Sequence, residues 1–184
     1  MGKFSPVSAG FWGFFLFAFG MQNHAGAAQN EHAVPNVVRA DHMTIHKNAH
    51  TMELASGGSI VATYSVAIGP GGSGPKHQEG DKVTPVGRYH IVSRSPSVFH
   101  IFMRLDYPNA DDRARFAELK KNGTLPKNAT IGGDVGIHGA PAQAEWKKIH
   151  KTVDWTLGCI AVDDDEIEKV AAMVPDGTIV DIED

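Results

Sequence analysis

The sequence has a single cysteine among its 184 residues, so no disulfide bond can form within the chain. It also lacks a cluster of lysines and arginines with interleaved aromatic residues, and its formal net charge is −4. Nucleic-acid-binding surfaces are usually strongly basic, so we expect no nucleic acid partner. The unpaired Cys159 is then a buried inert thiol, a partner in an intermolecular bond or a reactive group.

A long hydrophobic run is also missing. The apolar stretch from Ala9 to Gly20 is about a dozen residues, against roughly 20 for a helix that spans a bilayer. It follows the basic Lys3 and precedes small residues at positions 25–28. This order predicts a secretory signal peptide over residues 1–28 and export to the periplasm or cell envelope, with no stable transmembrane anchor. An uncleaved anchor is the alternative.

The remaining chain predicts a flexible polar lead-in over residues 29–37 and one compact domain over residues 38–184. Period-two alternation between residues 42 and 68 predicts a meander of three strands, with Ile60 to Ile68 as the inward positions of the third. Four further strands are predicted from VGRYHIVSR, FHIFMRLDY, ATIGGDVGIHG and TIVDI, and a strand stub from IAV.

Helical patterns are few. NADDRARFAELKKNG has acidic residues early, lysines late and Gly123 past the end, which is typical of a helix. PAQAEWKKIHK predicts a short helix or turn, and Asp163 with Glu166 predicts a capping box at the start of another helix. The pattern therefore predicts a mainly β fold with two or three short helices.

A loop rich in glycine and proline extends from Gly69 to Pro85. A connection of this length inside a compact domain is usually functional or disordered. The two readings are that it lines a substrate groove or that it is a disordered surface loop.

The residues around Cys159, in DWTLGCIAV, favour a nucleophile over a packed core residue. A thiol needs a base or a positive charge to become a thiolate, and the attacked carbonyl needs donors for its oxyanion. Gly158 permits a tight turn, and the backbone N–H groups of Gly158 and Cys159 are natural oxyanion donors. Thr156 supplies a hydroxyl group, and Trp155 contacts either substrate or the core.

The candidate base is His138, which ends a predicted strand in GIHGAP. Gly136 and Gly139 on either side leave the imidazole unshielded, as expected of a residue in a site. Histidine has many structural roles, so this assignment depends on the pairing with Cys159.

These motifs in this order resemble the L,D-transpeptidase catalytic domain family, over roughly residues 38–183. IHGAP resembles the His-Gly motif of the family, and WTLGC its Ser/Thr-x-Gly-Cys motif about twenty residues on. GDKVTPVGRYHI resembles the upstream T-P-x-G strand, and DYPNADD a stretch found in some members. Members that carry a W-T-x-G-C-I-A pattern are the most similar.

The resemblance implies a mixed β-sandwich and a cysteine enzyme that acts on peptidoglycan stem peptides in cell-wall biogenesis. Cys159 would be the nucleophile, and His138 would take and later return a proton. Gly158, Thr156 and Gly139 would support the oxyanion and the backbone. The intermediate would be a thioester, and the acceptor amine would belong to a stem peptide or to a wall lipoprotein. No cofactor or metal is implied.

Two alternatives stay open. Many members have histidine where this chain has Leu157, which leaves room for an L,D-carboxypeptidase or endopeptidase that transfers the acyl group to water. The other is a non-catalytic wall- or metal-binding protein, suggested by His42, His46 and His50. Zinc sites need three or four converging ligands, and the sequence does not show such a cluster.

Overall fold

The computed structural model describes Met1 and residues 38–184, so the predicted signal peptide and lead-in lie, apart from Met1, outside the described residues. The described chain confirms the mainly β prediction. It contains eight strands, three α-helices and one 3₁₀ turn: β1 (His42–His46), β2 (Thr51–Ser56), β3 (Ser59–Ser65), β4 (Gly87–Ser97), β5 (His100–Leu105), α1 (Ala110–Lys121), β6 (Gly136–His138), α2 (Ala144–Lys147), the turn His150–Thr152, β7 (Ile160–Ala161), α3 (Asp164–Met173) and β8 (Ile179–Glu183).

The strands form one mixed sheet in the order β3-β2-β1-β8-β4-β5-β6-β7. The pairs β1–β8 and β6–β7 are parallel, and the other neighbours are antiparallel. β4 pairs with β8 through residues 87–90 and with β5 through residues 91–97, with an irregularity between Ile91 and Ser93. This long strand therefore joins the two halves of the sheet.

The two ends of this strand order meet. Ala67, just after β3, forms an antiparallel bridge with Ala161 of β7. Each residue donates its N–H to the carbonyl of the other, at 2.9 and 2.8 Å. β7 is therefore hydrogen-bonded on both sides, to β6 and to the segment after β3.

Alternation along the strands places every second side chain in the core, as the sequence predicts. Met43 of β1 lies opposite Leu54 and Val180, and Ile45 lies opposite Met52 and Ile182. All six side chains are buried. The hydrophobic effect over this face stabilises the sheet by about 25 cal/mol for each Å² of apolar surface buried.

The third strand departs from its predicted pattern. Ala62 and Tyr64 pack against the core, but Ile60 is 59% exposed. The register between β2 and β3 shifts between Leu54 and Ala55, so Ile60 pairs with Ala55. A bulge of this kind ends the regular in–out alternation, and the sequence pattern does not reveal it.

Two helices have the predicted ends. α1 begins after Asn109, whose side chain accepts the N–H of Asp112 at 3.0 Å. α3 begins after Asp163, whose N–H donates to Glu166 Oε2 at 2.9 Å. The buried Ile167 and Val170 face of α3 packs on β5 and β6, and so supports the strand that ends at His138.

Candidate active site

The parallel pair β6–β7 brings His138 and Cys159 to one pocket. His138 is the last residue of β6 and pairs with Ala161, and Cys159 immediately precedes β7. The N–H of Val162 donates to the carbonyl of His138 at 3.0 Å, which fixes the register. Both side chains line a pocket of about 580 Å³.

The pocket has two walls of different character. The strand wall consists of β6, β7 and the Trp155–Cys159 loop, and the aromatic rings of Phe99 and Phe102 lie beside it. The loop wall is the segment 69–85, which contributes Lys76, Glu79 and Gly80, and residues 132–135 close the floor. The long loop therefore lines this pocket, and its role in a substrate groove stays a prediction.

The ring of His138 is buried and oriented by one hydrogen bond. Its Nδ1 lies 2.8 Å from the carbonyl oxygen of Gly139. A carbonyl oxygen only accepts, so Nδ1 carries the proton and Nε2 of the neutral ring holds a free lone pair. The ring stacks on Phe99, with centroids 4.6 Å apart. Burial lowers the pKa of His138, against the opposing effect of the Gly139 bond.

The thiol of Cys159 is partly exposed, and Sγ lies 3.5 Å from the carbonyl oxygen of Asp134, to which it donates. Burial raises the pKa of the thiol, while the N–H of Gly136 and the charges of Lys76 and Arg104 oppose that rise. The raised pKa of Cys159 and the lowered pKa of His138 both favour a neutral thiol and a neutral imidazole in the resting pair at neutral pH. A thiolate then forms only when the proton is transferred.

The loop before Cys159 is held by Thr156. The Thr156 hydroxyl donates to the Cys159 carbonyl at 2.7 Å and accepts the N–H of Gly158 at 3.2 Å. Gly158 N–H is therefore already engaged. The N–H of Cys159 itself has no acceptor among residues 38–184. Of the two expected oxyanion donors, Cys159 N–H is the one free to donate.

Glycine is required at position 158 for two reasons. The residue has φ of +126°, and a Cβ there would lie 2.8 Å from the carbonyl oxygen of Val83. Gly139 is also confined, because a Cβ would lie 2.6 Å from Asp164 Oδ1 and 2.8 Å from the carbonyl oxygen of Phe99. Both glycines permit close backbone approach around the two candidate reactive residues.

Trp155 lines the pocket and also packs on the candidate base. Its ring meets that of His138 edge-on at 5.7 Å and is tilted against Phe99 at 5.7 Å. Its Nε1 is buried and has no hydrogen-bond partner among the described residues. The sequence left substrate contact and packing as alternatives, and the geometry allows both.

Lys76 and Asp81 were missed by sequence reasoning. Lys76 Nζ donates to Asp81 Oδ1 at 2.5 Å inside the loop wall. Asp81 also accepts the backbone N–H groups of His77, Gln78 and Val83. The length of the Gly69–Pro85 loop was the available signal, but it did not indicate which side chains face inward.

The three histidines considered as metal ligands bind carboxylates instead. His42 lies 3.1 Å from Asp181, and His46 lies 2.7 Å from Glu183. His50 is bonded to Asp154 at 3.0 Å. In the part of the chain that the structure describes, no three histidine, cysteine or acidic side chains are grouped to hold a metal ion. Within the same residues, no helix has the length and apolarity needed to span a membrane.

Similar solved structures share this fold. Pgp2, the helical cell shape determining protein of Campylobacter jejuni, is 24% identical with a TM-score of 0.56, and the match covers 80% of this chain and 48% of that one. Bd1075 of Bdellovibrio bacteriovorus is 19% identical with a TM-score of 0.52, and the match covers 79% and 48%. An L,D-transpeptidase of Xylanimonas cellulosilytica is 14% identical with a TM-score of 0.50, covering 80% and 62%.

The chain thus spans about half the length of the first two of these proteins, at 48% of each. A comparison with curated proteins found no match. The family YkuD, L,D-transpeptidase catalytic domain, matches residues 40–182, which include the whole pocket and nearly all of the described sheet. With the β6–β7 arrangement of histidine and cysteine, this match identifies the chain as a member of the YkuD family of L,D-transpeptidase catalytic domains.

Proposed function

We propose that this protein is a cysteine-dependent L,D-transpeptidase that acts on peptidoglycan stem peptides through a thioester on Cys159. The observation that carries the proposal is the bond between His138 Nδ1 and the Gly139 carbonyl, which leaves Nε2 as a proton acceptor in the pocket that contains Cys159. The family match supports the substrate class.

The first half of the reaction forms the thioester. The Sγ proton of Cys159 moves to Nε2 of His138, and the resulting thiolate then bonds to the carbonyl carbon at the L-centre of meso-diaminopimelate. The carbonyl electron pair moves onto its oxygen. When the carbonyl re-forms, the C–N bond to the terminal D-alanine breaks, and the departing amine takes the proton from Nε2.

The second half transfers the acyl group to an acceptor. An amine or a water molecule gives a proton to Nε2 of His138 and bonds to the thioester carbon. The C–S bond then breaks, and the proton returns to Sγ of Cys159. An amine acceptor gives a cross-link or an attached lipoprotein, and water gives a shortened stem peptide.

The oxyanion of each tetrahedral intermediate is stabilised by the N–H of Cys159, the free donor of the loop. Thr156 keeps that peptide in place through its bond to the Cys159 carbonyl. Trp155 and Phe99 hold the His138 ring from two sides, so that Nε2 keeps its direction during both proton transfers.

Leu157 cannot act as a second base for the acceptor, so His138 is the base for either acceptor. The side chain is 74% exposed at the edge of the pocket and cannot exchange a proton. Amine and water must therefore use the same base, and hydrolysis is the second candidate outcome. The protein acts in the periplasm or cell envelope if residues 1–28 are the signal peptide that their sequence predicts.

The test is mass spectrometry of tetrapeptide muropeptides incubated with residues 29–184, in parallel with Cys159→Ala and Cys159→Ser. We expect an acylated enzyme and released D-alanine only with the intact cysteine. Dimers would establish transpeptidation, and tripeptides without dimers would establish the carboxypeptidase alternative. Full activity of Cys159→Ala would contradict the thioester mechanism.

A further inference from the structure

The loop wall contains a buried cation. The side chain of Lys76 is 4% exposed, and its ammonium group has one acceptor among residues 38–184, Asp81 Oδ1. Removing an ammonium group from water is costly unless it is well paired. An ammonium group has three N–H donors, so two remain for other acceptors.

This ammonium group lies against the loop that carries Cys159. A Cβ on Gly158 would lie 3.5 Å from Lys76 Nζ, and Gly158 is the residue before Cys159. Lys76 and Cys159 line the same pocket. The ammonium group therefore lies beside the backbone of Gly158, whose carbonyl group forms the peptide bond with the free N–H of Cys159.

We propose that Lys76 stabilises the negative charge that forms first on Sγ of Cys159 and then on the oxyanion of the tetrahedral intermediate. This inference rests on the proposed function and adds a charge-stabilising residue to it. The Cys159 N–H gives one directed hydrogen bond, and the ammonium group of Lys76 adds a positive charge beside it in a site of low polarity.

The neighbouring charges leave this role to Lys76. Asp134, at the pocket floor, is paired with Arg104. Glu79 accepts the hydroxyl of Thr130 at 2.6 Å on the exposed side of the loop. Burial lowers the pKa of His138, which favours its neutral form. Among these groups, Lys76 is the cation that is both buried and next to the nucleophile loop.

Asp81 does not cancel the effect of Lys76. Its carboxylate also accepts three backbone N–H groups, from His77, Gln78 and Val83, at 2.8 to 3.1 Å. These bonds stabilise the carboxylate independently of the ammonium group. The positive charge of Lys76 also opposes the rise that burial causes in the pKa of Cys159.

The experiment measures the thiol and the reaction separately. The variants are Lys76→Met, which keeps an unbranched side chain of nearly the same length, Lys76→Arg, which keeps the charge, and Lys76→Met/Asp81→Asn, which also removes the unpaired carboxylate. Lys169→Met is the control, since Lys169 forms an exposed pair with Asp165. The pKa of Cys159 comes from the pH dependence of alkylation by iodoacetamide, and kcat and KM come from tetrapeptide turnover.

We expect Lys76→Met to raise the thiol pKa by about one unit and to lower kcat by roughly 10- to 100-fold with little change in KM. Lys76→Arg should keep the thiol pKa and kcat close to those of the wild type. The double variant should keep the raised pKa and the low kcat. Melting curves identify any variant that does not fold, and in that case Lys76→Arg is compared with Lys76→Gln.

Two results would overturn the inference. One is a Lys76→Met variant with the thiol pKa and kcat of the wild type. The other is recovery of both in the double variant, which would assign the defect to repulsion from Asp81. If no variant, wild type included, turns over muropeptides while the thiol pKa still shifts, then the proposed function fails and the charge effect stands.

Discussion

The two walls of the pocket are held by different kinds of bond. In the strand wall, backbone pairing places the candidate reactive residues: β6 pairs with β7, and Ala161 also pairs with Ala67. In the loop wall, one carboxylate holds the loop in place, because Asp81 accepts hydrogen bonds from Lys76 Nζ and from three backbone N–H groups. Backbone hydrogen bonds between strands persist when side chains are changed. A loop that is held by one side chain loses its structure when that side chain is replaced. The walls should therefore respond differently to substitution.

The largest expected effect is in the strand wall. His138→Gln keeps a polar side chain of similar size but removes the base, so activity on tetrapeptides should fall roughly 10²- to 10⁴-fold. Because the ladder holds the backbone, the strand wall should keep its structure, as seen by circular dichroism and the melting temperature. His42→Gln is the control, since His42 pairs with Asp181 outside the pocket. Unchanged turnover by His138→Gln would remove histidine from the mechanism.

The next largest effect is expected at the contact between the two walls, where Gly158 lies against Val83. Gly158→Ala forces alanine into φ of +126° and puts a Cβ 2.8 Å from the carbonyl oxygen of Val83, in the loop wall. We expect a loss of about 1–3 kcal/mol in the free energy of unfolding, together with a drop in kcat. The matched control is Gly177→Ala, with φ of +87° and open space around its Cβ. Equal destabilisation by the two variants would mean that the contact with Val83 is unimportant.

A smaller and more local effect is expected from Asp81→Asn. The amide cannot pair with the charge of Lys76, so the free energy of local opening of the loop wall should fall by about 1–2 kcal/mol. Hydrogen exchange at His77, Gln78 and Val83 would report it, while amides in β6 and β7 should keep their protection. Asp165→Asn, on the exposed face of α3, serves as the control. Loss of protection in both walls would show that they unfold together.

The two walls should also respond to acid at different pH values, without any substitution. Burial lowers the pKa of His138 below its ordinary value of 6.5. The neutral imidazole that accepts the proton is therefore fully present above pH 6.5, and it is lost as pH falls through the lowered pKa. Burial alone would raise the pKa of Asp81, but its bonds to Lys76 and to three N–H groups hold it below the ordinary 3.8. Activity should therefore have its acid limb below pH 6.5, while the loop wall opens only below pH 3.8. A single transition for activity and loop exchange would contradict this order.

The strands and the shared pocket of Cys159 and His138 could be predicted from the sequence because both follow from local patterns. Met43, Ile45, Met52 and Leu54 alternate as a half-buried sheet requires, and the structure buries all four. The prediction that Cys159 and His138 share a site followed from their motifs, and they line one pocket. Their catalytic roles stay predictions until the muropeptide experiment is done.

The features that the sequence did not predict leave no periodic pattern of residues along the chain. The inward direction of Lys76 depends on Asp81 and on three turn N–H groups, a geometry that glycine and proline content does not specify. The exposure of Ile60 follows from a register shift between two strands. The place of β8 between β1 and β4 is a property of the whole fold, because pairing between segments so far apart in sequence leaves no local signature.

That central position of β8 has a consequence for how the protein forms. The strand is the last described strand along the sequence, yet it pairs in parallel with β1, the first described strand, and antiparallel with β4. The sheet cannot close before residues 179–183 have left the ribosome, and contacts between such distant segments make folding slow. Until then the apolar faces of these strands are exposed, which makes the incompletely folded chain prone to aggregation.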